Sequence, residues 1–347
     1  MSQTRSGQVA FCALMLSGAI AVAGALPAGA LGLFEINLIP GPGLQANPAA
    51  LDAFRRAAAE WEAQISNPIR VNVTADLGTF SDPNIIGATG YGSENLNLDY
   101  TTVRDRLVAR ASRPGNDILN YLPDSAHVKA IVPTGTTFDN TTIGLTRANQ
   151  KALGLIANPK TDTVVDGQIT FNQAFTFDYD SRNGVDADKV DFQTAAAHEL
   201  GHVLGFLSDV DDYDNGATSD NATTLDLFRF NNLIKPTTND EFRILPRELR
   251  PGEESVTTDL VSEYAMSTGQ NMGDGRQASH WKDDLATGHF IGIMDPTLDN
   301  GTIENVGPAD IRSMELIGYD TPEPGSVMLI ALGAMGALGR RRRRSIA

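Results

Sequence analysis

The residues with the clearest capacity for chemistry lie in positions 195–208, Ala-Ala-Ala-His-Glu-Leu-Gly-His-Val-Leu-Gly-Phe-Leu-Ser. On a helix, His198 and His202 stand four positions apart, about 40° round the axis and roughly 6 Å along it, so both imidazoles can address one ion. Neutral imidazole is a good ligand for Zn²⁺, and a catalytic zinc keeps one position open for a water whose pKa falls to about 7. Glu199, one residue after the first histidine, is spaced to take that water's proton as a general base. The bland alternative is a buried amphipathic helix with two incidental histidines, and Gly205, three residues past His202, argues against it.

Such a site needs a third protein ligand. The histidines outside the helix are His127, His280 and His289, and Asp209 offers a carboxylate immediately beyond the motif. His127 lies in a polar stretch with no partner nearby, which predicts a structural or solvent-facing role.

The helix that carries the motif is predicted over residues 192–204, with Asp191 as N-cap and Gly205 as a terminator that tolerates positive φ. Upstream, residues 47–66 place Leu51, Phe54, Ala58, Trp61 and Ile65 at helical spacing behind Pro48, and residues 69–73 alternate as a strand. Trp61 falls on the apolar stripe and is expected in the core. This helix and strand open an α+β subdomain. Residues 87–92 are glycine-rich without a phosphate-loop pattern and are expected to form a turn. A helix is expected over 100–112 and a strand over 167–171, the latter as a sheet edge to which an extended peptide adds.

After the helix, Asp209, Asp211, Asp212, Asp214 and Asp220 crowd a short stretch. Asp211, Asn215 and Gly216 suit the start of a calcium loop, but Tyr213 and Ala222 stand where further oxygen ligands belong, so a solvated loop is expected. Residues 224–230 and 308–317 are expected as helices of a smaller second subdomain, the latter ending at Gly318.

Both ends of the 347-residue chain look like addresses. Arg5, the apolar run 9–26 and the small residues Ala28 and Ala30 predict a signal peptide over residues 1–30. The single cysteine, Cys12, lies within it, so the mature body would hold neither disulfide nor thiol. At the other end Pro322-Glu323-Pro324 precedes an apolar run over 327–338 and five arginines, Arg340 to Arg344. The run is short for a bilayer span, which takes about 20 residues, and the arginines would hold its end on the cytoplasmic side. This three-part order resembles the PEP-CTERM sorting tail of Gram-negative bacteria. The resemblance implies recognition by an exosortase-type enzyme, transient inner-membrane association through the tail, and an exported, extracellular or cell-surface location. The formal charge is −16, and removing the two ends makes the body more acidic still. That sign argues against nucleic acid or an anionic membrane as main partner.

A second resemblance covers roughly residues 168–320. His198-Glu199-Leu200-Gly201-His202-Val203-Leu204-Gly205, then Ser279-His280-Trp281, then Ile293-Met294-Asp295-Pro296, together resemble the metzincins, and more closely the leishmanolysin-like arrangement. In that arrangement a long insertion separates the helix glycine from the third histidine. Ser208 stands where shorter metzincin motifs put His or Asp. The resemblance implies His198, His202 and His280 as zinc ligands, Glu199 as general base, Gly205 as helix terminator and Met294 as the turn methionine beneath the metal. Asp209 follows as the next candidate ligand, and His289 is expected to be structural. No tyrosine follows Met294 at short spacing, so the tyrosine switch of some metzincins has no counterpart.

The expected fold is α+β and metzincin-like. Residues 31–207 would form an N-terminal mixed-sheet subdomain with the active-site helix, 208–320 a smaller loop-rich C-terminal subdomain, and 321–347 the sorting tail. The expected function is a secreted zinc endopeptidase acting on a protein or peptide. Its rivals are a non-catalytic surface or biofilm-matrix protein that keeps the fold, and a thermolysin-like protease with a downstream glutamate ligand. Gly205 and the 280–294 segment oppose the last.

Overall fold

The computed structural model describes residues 33–91 and 97–322. The expected signal peptide, Cys12 and all of the sorting tail beyond residue 322 lie outside the described residues. The architecture is α+β, with several small sheets around two long packed helices.

The principal sheet has four strands in the spatial order Glu35–Pro40, Arg70–Gly78, Gly167–Asn172, Gly87–Tyr91. The first three run parallel and the last is antiparallel. The strand at 167–172 is therefore interior, not the expected edge. The edge is Gly87–Tyr91, where a turn was expected. Its glycines serve close approach, since a methyl on Gly87 would lie 2.7 Å from Glu199 Oε1. With little side chain to bury, the segment owes its extended form to pairing with residues 167–171.

Two helices pack together against this sheet. Pro48–Gln64 starts from Asn47, whose side chain accepts the Ala50 N–H, and buries Ala50, Ala53, Phe54, Ala57, Ala58 and Trp61. Trp61 is core, as its place on the stripe predicts, and its indole N–H donates to the Ala197 carbonyl at 2.9 Å. That bond fixes the first helix on the second, Phe192–Leu204. Asp191 caps the second helix by accepting from Gln193 N, Thr194 N and Thr194 Oγ1, and Gly205 ends it at φ 118°. Glycine is required there on two counts: L-residues avoid that φ, and a methyl would press on Ile317 and Asn149 at 3.2 and 3.3 Å.

The largest core joins this layer to later segments, since Trp281, Ile293, Met294, Met314, Ile317 and Tyr319 pack with residues of the sheet and both helices. Of the other expected helices, the first is shorter, Tyr100–Val108, and Pro308–Leu316 forms as anticipated with Gly318 at φ 103°. Residues 224–230 do not form a helix. A 3₁₀ turn at Asp226–Phe228 runs into the strand Arg229–Asn231, which pairs antiparallel with Ser255–Thr258. Here tertiary demand overrides helical spacing: the fully buried Arg229 guanidinium donates to the carbonyls of Ala278 and Ser267, which holds that segment extended.

Candidate metal centre

Helical geometry brings His198 and His202 to one face, and the fold delivers His280 to the same point. His280 Nε2 lies 3.1 Å from His198 Nε2 and 3.2 Å from His202 Nε2. Each Nδ1 meets a backbone carbonyl: Ile293 O for His198 at 2.7 Å, Phe206 O for His202 at 2.9 Å, Gln277 O for His280 at 3.1 Å. A carbonyl can only accept, so each Nδ1 carries the hydrogen and each Nε2 presents a lone pair. Three lone pairs then converge on one space with no proton among them. Burial reinforces this state, lowering His198 to about 4 and His202 to about 3, and pushing His280 well below its ordinary range with the other two rings adding to the effect. All three are neutral at pH 7. The donor set fits zinc: nitrogens about 2.0–2.1 Å from a tetrahedral ion stand about 3.3 Å apart.

Long-range bonds hold the His280 loop. Asp211 accepts from Ala278 N at 2.6 Å, Ser279 N at 3.0 Å and Ser279 Oγ at 2.5 Å. Ser279 Oγ in turn accepts from Ser208 N, and His280 O accepts from Ser267 N. On the other flank the Trp281 indole donates to Asp310 Oδ1 at 2.8 Å, while the same carboxylate takes the N–H groups of Ile293, Met294 and Gly307. Asp310 thus ties the Trp281 segment to the Met294 turn, and Trp281 N donates to Met294 O. Met294 is fully buried, and its sulfur packs so close to Gly201 that any side chain at 201 would overlap it. The glycine between the two motif histidines is therefore a packing requirement of the methionine.

Glu199 is buried on the side of the helix facing the edge strand. Thr89 Oγ1 donates to Glu199 Oε2 at 2.6 Å, and Gly87 passes its other oxygen. Burial raises the carboxyl to about 7 against the opposing pull of Thr89. A carboxyl poised near neutrality can both accept and return a proton.

The remaining candidates are placed elsewhere. Asp209 joins Asp212 and Asp220, not the histidines. His289 is exposed in a turn, with Nδ1 against Thr287 O, and His127 is exposed beside Asp124 at 2.6 Å. The acidic stretch is not a solvated loop. Residues Val210–Asp214 are a short helix, Asp211 braces the His280 loop, and Asp214 accepts from Asn271 N and Met272 N. Sequence reasoning missed Asp211, Thr89 and Asp310 as supports of the site. The one available signal for Asp310 was its position in the first turn behind Pro308.

Residues 320–344 match the PEP-CTERM protein-sorting motif. That motif implies recognition by an exosortase-type sorting enzyme, with export and cell-surface sorting in a bacterium. Comparison with curated proteins and comparison with solved structures each find no match. Among the described residues, no helix is long and apolar enough to cross a membrane.

Proposed function

We propose that the chain is an exported zinc-dependent endopeptidase of metzincin type, with His198, His202 and His280 as metal ligands and Glu199 as general base. The observation that carries the reading is the approach of His280 Nε2 to within 3.2 Å of Nε2 of both His198 and His202, each ring locked from behind by a carbonyl. When bound, zinc supplies Lewis-acid polarisation of the scissile carbonyl and acidifies water.

The protein's own part is positioning and proton transfer. Glu199 takes a proton from the attacking water and hands it to the leaving amine, and its raised affinity for protons suits both steps near pH 7. Thr89 fixes the carboxylate's direction. The strand Gly87–Tyr91 carries Thr89 and is the last of its sheet among the described residues, so an extended peptide laid along it would run past Glu199. Sorting through the tail, by an exosortase of a Gram-negative envelope, would leave the body at the surface or outside the cell. Glu199→Gln tests the assignment. Zinc content should stay at one per chain while cleavage of a casein substrate falls by at least 10²-fold, the lower end of what a positioned acid–base group contributes. Retained cleavage in that variant would refute the proposed base.

A further inference from the structure

A further convergence of ligand atoms lies just beyond the helix Phe192–Leu204. Carboxylate oxygens of Asp209, Asp212 and Asp220 fall within 4.8 Å of one another. An acidic cluster alone can be mere surface, but here neutral oxygen joins it. Asn221 is 3% exposed and its Oδ1 has no hydrogen-bond partner, and Asp209 Oδ2 is likewise buried and unpartnered. Both face one space beside Gly144: a methyl built there would lie 3.3 Å from Asp209 Oδ2, 3.5 Å from Asn221 Oδ1 and 3.5 Å from Asn97 Oδ1. The amide orientation is fixed from behind, because Asn221 Nδ2 donates to Thr142 Oγ1 at 2.8 Å and so turns the oxygen inward. Asp209 is held by its own N–H to Asp226, and Asp220 by accepting the Asn221 N–H. Buried acceptors left without donors carry a desolvation cost, and a cation removes it.

We propose that Asp209, Asp212, Asp220 and Asn221 bind one calcium ion, with Asn97 Oδ1 facing the same space. Every donor is a hard oxygen, three of the side chains are carboxylates, and the set mixes amide with carboxylate as calcium sites do. Magnesium is the poorer fit, since it demands near-octahedral geometry and keeps several waters. The crowded acids behave accordingly. Burial and then the charges of Asp226, Asp220 and Asp212 push Asp209 well up, and Asp220 rises to about 6.

The ion's position gives it a function. Asp209 and Asp212 flank Asp211, whose carboxylate holds Ala278 and Ser279 next to His280. Calcium would fasten the short helix Val210–Asp214 to the strands Thr137–Gly144 and Ser219–Thr223, and so stiffen the support of the third histidine.

Equilibrium dialysis with calcium on the full chain, beside Asp212→Asn and Asp220→Asn, tests the site. Asp212 is exposed, so that variant keeps the fold. The unaltered chain should take up one equivalent with Kd about 10⁻⁴–10⁻³ M, the range of extracellular modules, and each variant should bind at least tenfold more weakly. The thermal midpoint should rise with calcium in the unaltered chain and not in the variants. No saturable uptake at about 10 mM calcium, or equal uptake by all three proteins, would overturn the site. Neither readout involves peptide cleavage, so failure here leaves the zinc reading standing.

Discussion

The protein buries two dense groups of titratable side chains that are neutralised by opposite means. Lys151, fully buried, places Nζ 2.6 Å from Asp166 and 2.9 Å from Asp162, and Arg147 reaches Asp162 at 2.6 Å and Asp166 at 3.4 Å. Two cations meet two anions there, and Asp166 further accepts the Asn72 N–H. That group is balanced in charge within itself and ties the segment 147–166 to the sheet. In the histidine group His280 Nε2 stands at contact distance from Nε2 of the other two, with a carbonyl bond on the far nitrogen of each ring. Ion pairing explains the first group as structure. The second is a set of acceptors that an added cation would complete, which is the reading proposed above.

Removing one partner from each group should therefore have different consequences. Lys151→Ala removes the nearer of the two cations from the buried Asp166 carboxylate and should cost about 3–5 kcal/mol of stability in urea unfolding, with zinc stoichiometry unchanged in the fraction that folds. Asp211→Ala acts on the other group from outside. Loss of the three bonds that brace Ala278 and Ser279 should lower zinc affinity about 10–100-fold, as supports behind metal ligands typically do, and competition with a chromophoric chelator would read it. An unchanged zinc affinity would mean that the loop holds His280 without Asp211.

Acidity separates the two groups further. In the metal-free chain His198 and His202 resist protonation down to about 4 and 3, whereas unfolded histidine accepts a proton near 6.5. The unfolded state then binds more protons between those values, so stability present above about pH 6.5 should drain away as pH falls toward 4. Zinc-loaded protein should resist this until the metal leaves, and thermal midpoints with and without zinc across that window would check it. Glu304 carries the reverse sign. Burial, then Asp295 and Asp284, raise it to about 8, so the folded state holds a proton that the unfolded chain releases above about 4.5. Stability is thereby lost as pH rises from about 4.5 to 8, and Glu304→Gln should flatten that part of the profile. A parallel profile in the variant would show that the proton sits elsewhere.

The helix Phe192–Leu204 was legible because its signals are local. Asp191 caps, the helical spacing places two histidines on one face, and Gly205 stops the turn. The helix at 48–64 was legible for the same reason, down to the burial of Trp61. The order of His280, Trp281 and Met294 pointed to the third ring. What stayed hidden depends on distant partners. Gly87–Tyr91 has almost no apolar alternation and becomes a strand only against residues 167–171. Residues 224–230 carry helical spacing, yet Arg229 is claimed by carbonyls 38 and 49 positions away. Asp211 looked like one solvated acid among several, because composition says nothing about a pair of N–H groups 67 and 68 residues downstream.

The central claim is tested most directly by zinc content and X-ray absorption on the purified chain, with His280→Ala and Asp209→Ala beside it. The account predicts one zinc per chain bound by three nitrogens at about 2.0–2.1 Å, retained in the Asp209 variant and lost from the His280 variant. Full zinc occupancy in His280→Ala together with its loss in Asp209→Ala would contradict it.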